Sequence, residues 1–168
     1  MTHIEVCERG RTIEFSFDDM MKYHGPGSPG GVAQAFKVME RGFAVLSPDG
    51  APMRRDVAIS TSFGGPGARD GFEAVTRAFT GDRYTVDASL ARPELGRERE
   101  RFVFVLTLGE RTVTLVVRDG IIDPQFIDLV RTDGRTDEQN ERLEVLKAEL
   151  AERTMAAAAA DVYDIDEG

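Results

Sequence analysis

The sequence predicts an α+β fold in which helices cover a mixed or antiparallel sheet. Two regions alternate apolar and polar residues on either side of turn residues, as β-hairpins do. Three longer stretches space apolar residues three and four apart, as helices packed by one face do. The two kinds of element do not alternate regularly, which argues against a parallel sheet of repeated strand–helix–strand units. With 168 residues the chain can bury a core without staples. No linker divides it, so residues 1–168 read as a single domain with an N-terminal hairpin over 3–17 and a C-terminal helix plus acidic tail over 136–168.

The elements follow in order. Ile4-Glu5-Val6 and Ile13-Glu14-Phe15-Ser16-Phe17 flank Glu8-Arg9-Gly10-Arg11 and predict the first hairpin. Asp18 offers an N-cap for a short helix through Tyr23, which Gly25 stops. After a glycine-rich turn, Val32, Ala35, Phe36, Met39, Phe43 and Leu46 share one helical face, and Ser47-Pro48-Asp49-Gly50 ends that helix. A strand over Val57–Phe63 leads through Gly64-Gly65-Pro66-Gly67 into a helix bearing Phe72, Val75 and Phe79. Arg83–Asp87 predicts a short strand, and Ala88–Arg99 a polar connection that reads as a surface loop or a lid. Phe102–Leu108 and Val113–Val117 form the strongest hairpin. Its first strand is apolar on both faces and so belongs at the centre of the sheet. Asp123-Pro124 starts a short helix, and Thr136-Asp137-Glu138-Gln139 caps a long one striped by Leu143, Leu146 and Leu150. That stripe suits either the sheet or another copy of the chain.

Two loops draw attention as a binding site. His24-Gly25-Pro26-Gly27-Ser28-Pro29-Gly30-Gly31 places an imidazole beside the start of a helix, and Gly64–Gly67 repeats the arrangement. The first N–H groups of a helix have no internal partner and can face an anion. Gly and Pro also mark ordinary turns. Imidazole titrates near neutrality, which makes His24 the candidate general acid or base. Asp70 is a candidate orienting carboxylate or a charge that stabilises the first turn of its helix. Tyr23 can donate a phenolic hydrogen bond, and Arg69 can grip a carboxylate; both also suit the surface or packing. Ser28, Gly30, Gly31, Gly65 and Gly67 complete the candidate substrate-binding set. Neither loop matches a nucleotide-binding fingerprint, and Ser28 sits in no nucleophile elbow.

His24–Gly30 has the length and frame of the His-Gly-His-x-Cys-Pro-Gly signature and resembles the FmdE-like family of formylmethanofuran dehydrogenase proteins. The resemblance extends to a C-terminal helix and tail, Glu152–Ile165. It implies an α+β domain, a metal site, and a homodimer as a plausible assembly. Pro26 and Ser28 stand where the family has its second His and its Cys, and Gly67 and Ala78 stand at two further cysteine positions. A transition-metal site needs several convergent imidazole, thiolate or carboxylate ligands, and of that set only His24 is present. The expectation is therefore a pocket kept for metal-free chemistry, without a cofactor.

Composition narrows the function classes. A formal net charge of −9 argues against nonspecific nucleic-acid binding. No apolar run is long enough to span a bilayer, and no export signal opens the chain, so a soluble cytoplasmic protein is expected. The single cysteine, Cys7, forms no internal disulfide, which fits a reducing compartment. His3 and Cys7 share a strand face, as a metal-binding pair or as an ordinary surface imidazole and half-buried thiol. Asp161, Asp164, Asp166 and Glu167 read as a solvated tail.

Together these features suggest a small metal-independent enzyme in which His24 moves a proton while helix-start N–H groups hold a carboxylate or enolate oxygen. A lyase, dehydratase or isomerase acting on a small carbonyl or carboxylate metabolite would suit one base and an oxyanion site. The competing expectations are a noncatalytic accessory or ligand-binding protein, and a metal-binding protein that uses His24 with Asp18 or Asp70.

Overall fold

The computed structural model describes residues 3–166. The chain begins with the expected hairpin, β1 (His3–Glu8) and β2 (Arg11–Ser16), an antiparallel two-stranded sheet in the register His3↔Ser16. Helix α1 (Phe17–His24) follows without a break. Its N-cap is Ser16, not Asp18. The Ser16 hydroxyl accepts from the Asp19 N–H while the Asp19 carboxylate accepts from the Ser16 N–H. This reciprocal box outcompetes a cap two residues later because it satisfies two helix-start donors at once. Gly25, at φ 90°, ends the helix in a conformation that side chains rarely adopt.

Helix α2 (Pro29–Leu46) is the hub of the molecule. Val32, Ala35, Phe36, Met39, Phe43 and Leu46 are all buried, as their spacing predicts. It packs against α3 (Pro66–Thr76) and α5 (Asp137–Ala156). The main sheet comprises β3 (Val57–Thr61), β4 (Tyr84–Val86), β5 (Val103–Leu108), β6 (Arg111–Val117) and β7 (Tyr163–Asp166), in the order β4-β3-β5-β6-β7. The β3–β4 pair is parallel and the other pairs are antiparallel. The sheet is thus mixed, and β5 lies at its centre, where a strand apolar on both faces belongs. Helices α4 (Pro124–Val130) and α6 (Ala159–Val162) are short connectors, and the polar connection after β4 carries two 3-10 turns.

One sequence expectation is overturned at the C-terminus. Tyr163–Asp166 is not a solvated tail but the edge strand β7, with Ile165 opposite Leu115 and Asp164 opposite Val116. Tyr163 is completely buried, and its hydroxyl donates to Gln34, whose amide donates to Thr154. That chain of hydrogen bonds joins β7, α2 and α5 inside the core, where each polar atom needs a partner. Burial raises the Tyr163 pKa well above the ordinary phenol value, so the hydroxyl stays a donor. Glu167 lies outside the described residues.

Ile4 and Val6 bury the hairpin in the core, and Arg54 adds a polar tie. Its buried guanidinium donates to the carbonyls of Ala74 and Val75 near the C-terminal end of α3 and meets the Glu8 carboxylate. A cation placed there offsets the partial negative charge of the helix end. No helix is long and apolar enough to cross a membrane among the described residues.

Candidate functional site

The two glycine loops come together, as the sequence suggests, at the starts of α2 and α3. Both helices begin with proline at the first turn and have no side-chain cap. A Cβ at Gly31 would lie 2.9 Å from the Ala68 nitrogen, and one at Gly67 would lie 2.4 Å from the Ser28 carbonyl oxygen. Such distances are far inside van der Waals contact, so glycine is what lets the two helix starts touch. Gly30 lies as closely against Leu150, and Gly65 against the Phe63 ring. Close packing therefore accounts for all four glycines without a ligand.

Beside this junction opens a cleft of about 470 Å³, a volume typical of small-molecule sites. Ser28, Gly30, Gly31, Gly65 and Gly67 line it, which places the whole expected substrate-binding set except Arg69 on its wall. Phe63, Phe102, Phe126, Ile127, Val130 and Leu143 form its apolar surface, with the rings of Phe63 and Phe102 stacked at 4.5 Å between centroids. Arg97, Arg101, Arg131, Arg135 and Lys147 surround it with positive charge. In a chain of net charge −9, five cations thus border one cleft.

Sequence reasoning does not find these cations. They come from the polar connection, the segment around α4 and the middle of α5, and only the tertiary fold gathers them. The one signal for them is the density of arginine in residues 92–101, directly before the central strand. Most of the five are already held. Arg97 pairs with Asp128 at 2.7 Å, Arg131 with Glu100 at 3.2 Å, and Lys147 with Glu144 at 3.2 Å. Lys147 also donates to the Gly27 carbonyl at 3.1 Å, tying α5 to the first loop. Arg135 donates to Asn140 and to carbonyls at the end of α4, including Leu129 at 2.9 Å. Arg101 differs: it is exposed on the cleft, and its guanidinium has no ion pair or hydrogen bond among the described residues.

The remaining candidates assemble behind the first loop rather than in the cleft. His24, the last residue of α1, meets Asp70 on α3 with Nδ1 and Oδ2 2.8 Å apart. Asp70 is the fifth residue of its helix, beyond the first turn that its sequence position suggests, and Arg69 donates to its other oxygen at 3.0 Å. Burial raises the Asp70 pKa, but hydrogen bonds from His24 and Arg69 and the charges beside it more than offset this, so the carboxyl stays below its ordinary value. The contact with Asp70 engages Nδ1 and leaves Nε2 as the other ring nitrogen. That Nε2 is buried without a hydrogen-bond partner, beside Gly27, and the His24 side chain is only 7% exposed.

The same neighbourhood holds the Tyr84 hydroxyl, buried and also unpartnered, with its pKa pushed up to about 12 chiefly by burial. Arg69 stacks over the Phe79 ring at 5.3 Å and so faces away from the cleft residues. Tyr23 does not join His24 at all. It is 56% exposed and borders a separate open groove with Asp19, Arg54 and Glu73.

The donor set does not fit the metal that the family resemblance implies. At the matching positions only His24 offers a ligand, and its Nδ1 is engaged by Asp70. Neither His24 with Asp18 nor His24 with Asp70 belongs to a group of three or more metal-ligating side chains among the described residues. His3 groups with Glu5 and Glu14, at 3.5 and 3.6 Å, rather than with Cys7. No protein-family model matches the chain, and no curated protein matches it either.

Proposed function

We propose that the protein binds a small organic anion in the cleft between the two glycine loops. The observation that carries this is the cleft itself: apolar walls ringed by Arg97, Arg101, Arg131, Arg135 and Lys147 in an otherwise acidic chain. Low-dielectric walls strengthen the attraction of the cations without a carboxylate partner, Arg101 and Arg135, for an anion and raise its local concentration. The apolar walls contribute through area removed from water. Ligand recognition here belongs mainly to side chains, because close packing already accounts for the glycines at the helix starts. Kinship with the FmdE-like family is part of the same proposal, and the frame of His24–Gly30 supports it.

Nuclear magnetic resonance titration with a panel of carboxylates and phosphates provides the test. Saturable shifts should map to the amides of Gly30, Gly31, Gly65 and Gly67 and weaken as salt is added. Shifts that are absent, or that map elsewhere, would sink the proposal.

A second reading is favoured by one specific observation, the free Nε2 of His24 with Nδ1 fixed by Asp70. This is the orientation of a general base, and it supports an acid–base enzyme of the lyase, dehydratase or isomerase type. His24 would remove a proton beside a carbonyl. Because Nε2 is sealed beside Gly27, residues 25–28 have to lift before a ligand reaches it. Incubating the protein with a 2-oxo acid in heavy water tests this. Deuterium should enter next to the carbonyl with the parent protein and not with His24→Gln; equal incorporation by both would end the catalytic reading.

A further inference from the structure

We infer that the ligand of the cleft is a monocarboxylate with a sizeable apolar body, an aryl or medium-chain acyl acid, and that Arg101 is its anchor. This rests on the anion-binding reading and adds the chemical class and the residue that selects it. Two properties of the cleft point the same way.

The first is the state of its cations. Arg97, Arg131 and Lys147 are each neutralised by a carboxylate, Asp128, Glu100 and Glu144 respectively. Arg135 spends its donors on Asn140 and on carbonyls of the α4 end. Arg101 alone among the five presents a guanidinium with no partner among the described residues, so one planar fork is free for one planar acceptor. A carboxylate matches that fork with two parallel hydrogen bonds. A phosphate dianion would need a second cation to abandon its present partner, and breaking a formed ion pair offsets what the new contact contributes.

The second is what surrounds the anchor. Phe63, Phe102, Phe126, Ile127 and Leu143 give the cleft an apolar surface that a small hydrophilic anion cannot cover. Filling it removes apolar area from water at about 25 cal/mol per Å², whereas acetate or phosphate would leave it wet. The Phe63 ring, stacked on the buried Phe102, offers an aromatic wall for a flat body. The held cations keep their present partners, which leaves Arg101 as the charge that selects an anion over a cation.

Isothermal titration calorimetry of the full chain with 1-naphthylacetate, octanoate, acetate and inorganic phosphate tests the inference. Naphthylacetate or octanoate should bind at least roughly tenfold more tightly than acetate or phosphate, as burial of a few methylene groups or a ring requires. Arg101→Ala should weaken the favoured acid by about tenfold or more, and Arg101→Lys should recover only part of it. The Arg101 side chain is exposed and its guanidinium makes no hydrogen bond or ion pair among the described residues, so both variants should keep the parent unfolding midpoint. Phosphate binding as tightly as the apolar acids would overturn the inferred class while leaving the anion-binding cleft in place. Unaltered affinity in Arg101→Ala would overturn the anchor, and no binding by any probe would overturn the class and the cleft together.

Discussion

Gly67 and Gly64 occupy one loop three residues apart, yet the chain asks opposite things of them. A Cβ on Gly67 would sit 2.4 Å from the Ser28 carbonyl oxygen and 3.1 Å from the Val32 nitrogen, both backbone atoms of the opposing loop and helix. A Cβ on Gly64 would meet nothing within 4 Å. The first loop repeats the contrast: Gly31 presses on the backbone of α3, while Gly27 has only the His24 ring at 4.0 Å. A glycine-rich loop is therefore not one signal. Some of its glycines hold two helix starts in contact, and others only carry the chain past a site. The same division separates the cleft, which faces solvent, from the His24–Asp70 pair sealed behind the first loop.

Gly67→Ala should show the largest effect. The added methyl group faces backbone on two sides, which cannot rotate away, so α2 and α3 must separate at their starts. Overpacking of this kind costs about 3 kcal/mol, a large share of the stability of a domain this size. Urea unfolding followed by circular dichroism should show the midpoint fall accordingly. A variant as stable as the parent would mean that this junction yields easily, and the contrast with Gly64 would collapse.

His24→Ala comes next and separates the two regions directly. It removes the partner of Asp70 and should cost about 1.5–3 kcal/mol, the usual range for a hydrogen bond to a charged group. Because His24 does not line the cleft, binding of an organic anion there should stay within twofold of the parent. If binding is lost while the fold persists, the imidazole reaches the ligand, and the acid–base reading gains what the binding reading loses.

The first six strands and the long helices are legible in the sequence because they rest on local periodicity and on turn chemistry. Phe102–Leu108 has to be central once both of its faces are apolar, and it is. The pairing of His24 with Asp70 is also legible as a possibility, since each stands near a helix end. What cannot be read is long-range. Arg101, Arg131 and Lys147 stand far apart along the chain and meet only after α4 and α5 have packed. The strand at Tyr163–Asp166 is hidden because its acidic residues suggest solvent, although Tyr163 and Ile165 already set the alternation of an edge strand. Proximity in sequence misleads for Tyr23: one step along α1 turns it about 100° away from His24.

A smaller effect tests the sealed region by pH. Asp70 is held below its ordinary pKa, so it contributes stability in full above the unfolded value near pH 4. That contribution fades as the pH falls through the lower folded value, because the unfolded chain takes up the proton first. Asp70 retains some exposure, and solvent screening keeps the contribution to a few tenths of a kcal/mol. Thermal unfolding measured from pH 6 to pH 2.5 should show a shallower acid limb for Asp70→Asn than for the parent. Identical limbs would mean that the pair with His24 adds no pH-dependent stability.

Gly64→Ala should do least, and its silence is as informative as the loss at Gly67. Nothing stands within 4 Å of the added methyl group, and Gly64 is not among the glycines with positive φ, so neither a clash nor a strained backbone opposes it. Alanine also narrows the conformations of the unfolded chain, which favours folding by a few tenths of a kcal/mol up to about 1 kcal/mol. The unfolding midpoint should therefore hold or rise slightly. Gly64 does line the cleft, however, so the same variant adds a methyl group to the binding surface without disturbing the helix junction. Altered anion affinity with unaltered stability would place the ligand against this loop. Lost stability would show instead that the loop needs glycine throughout, and close packing would no longer distinguish one glycine from the other.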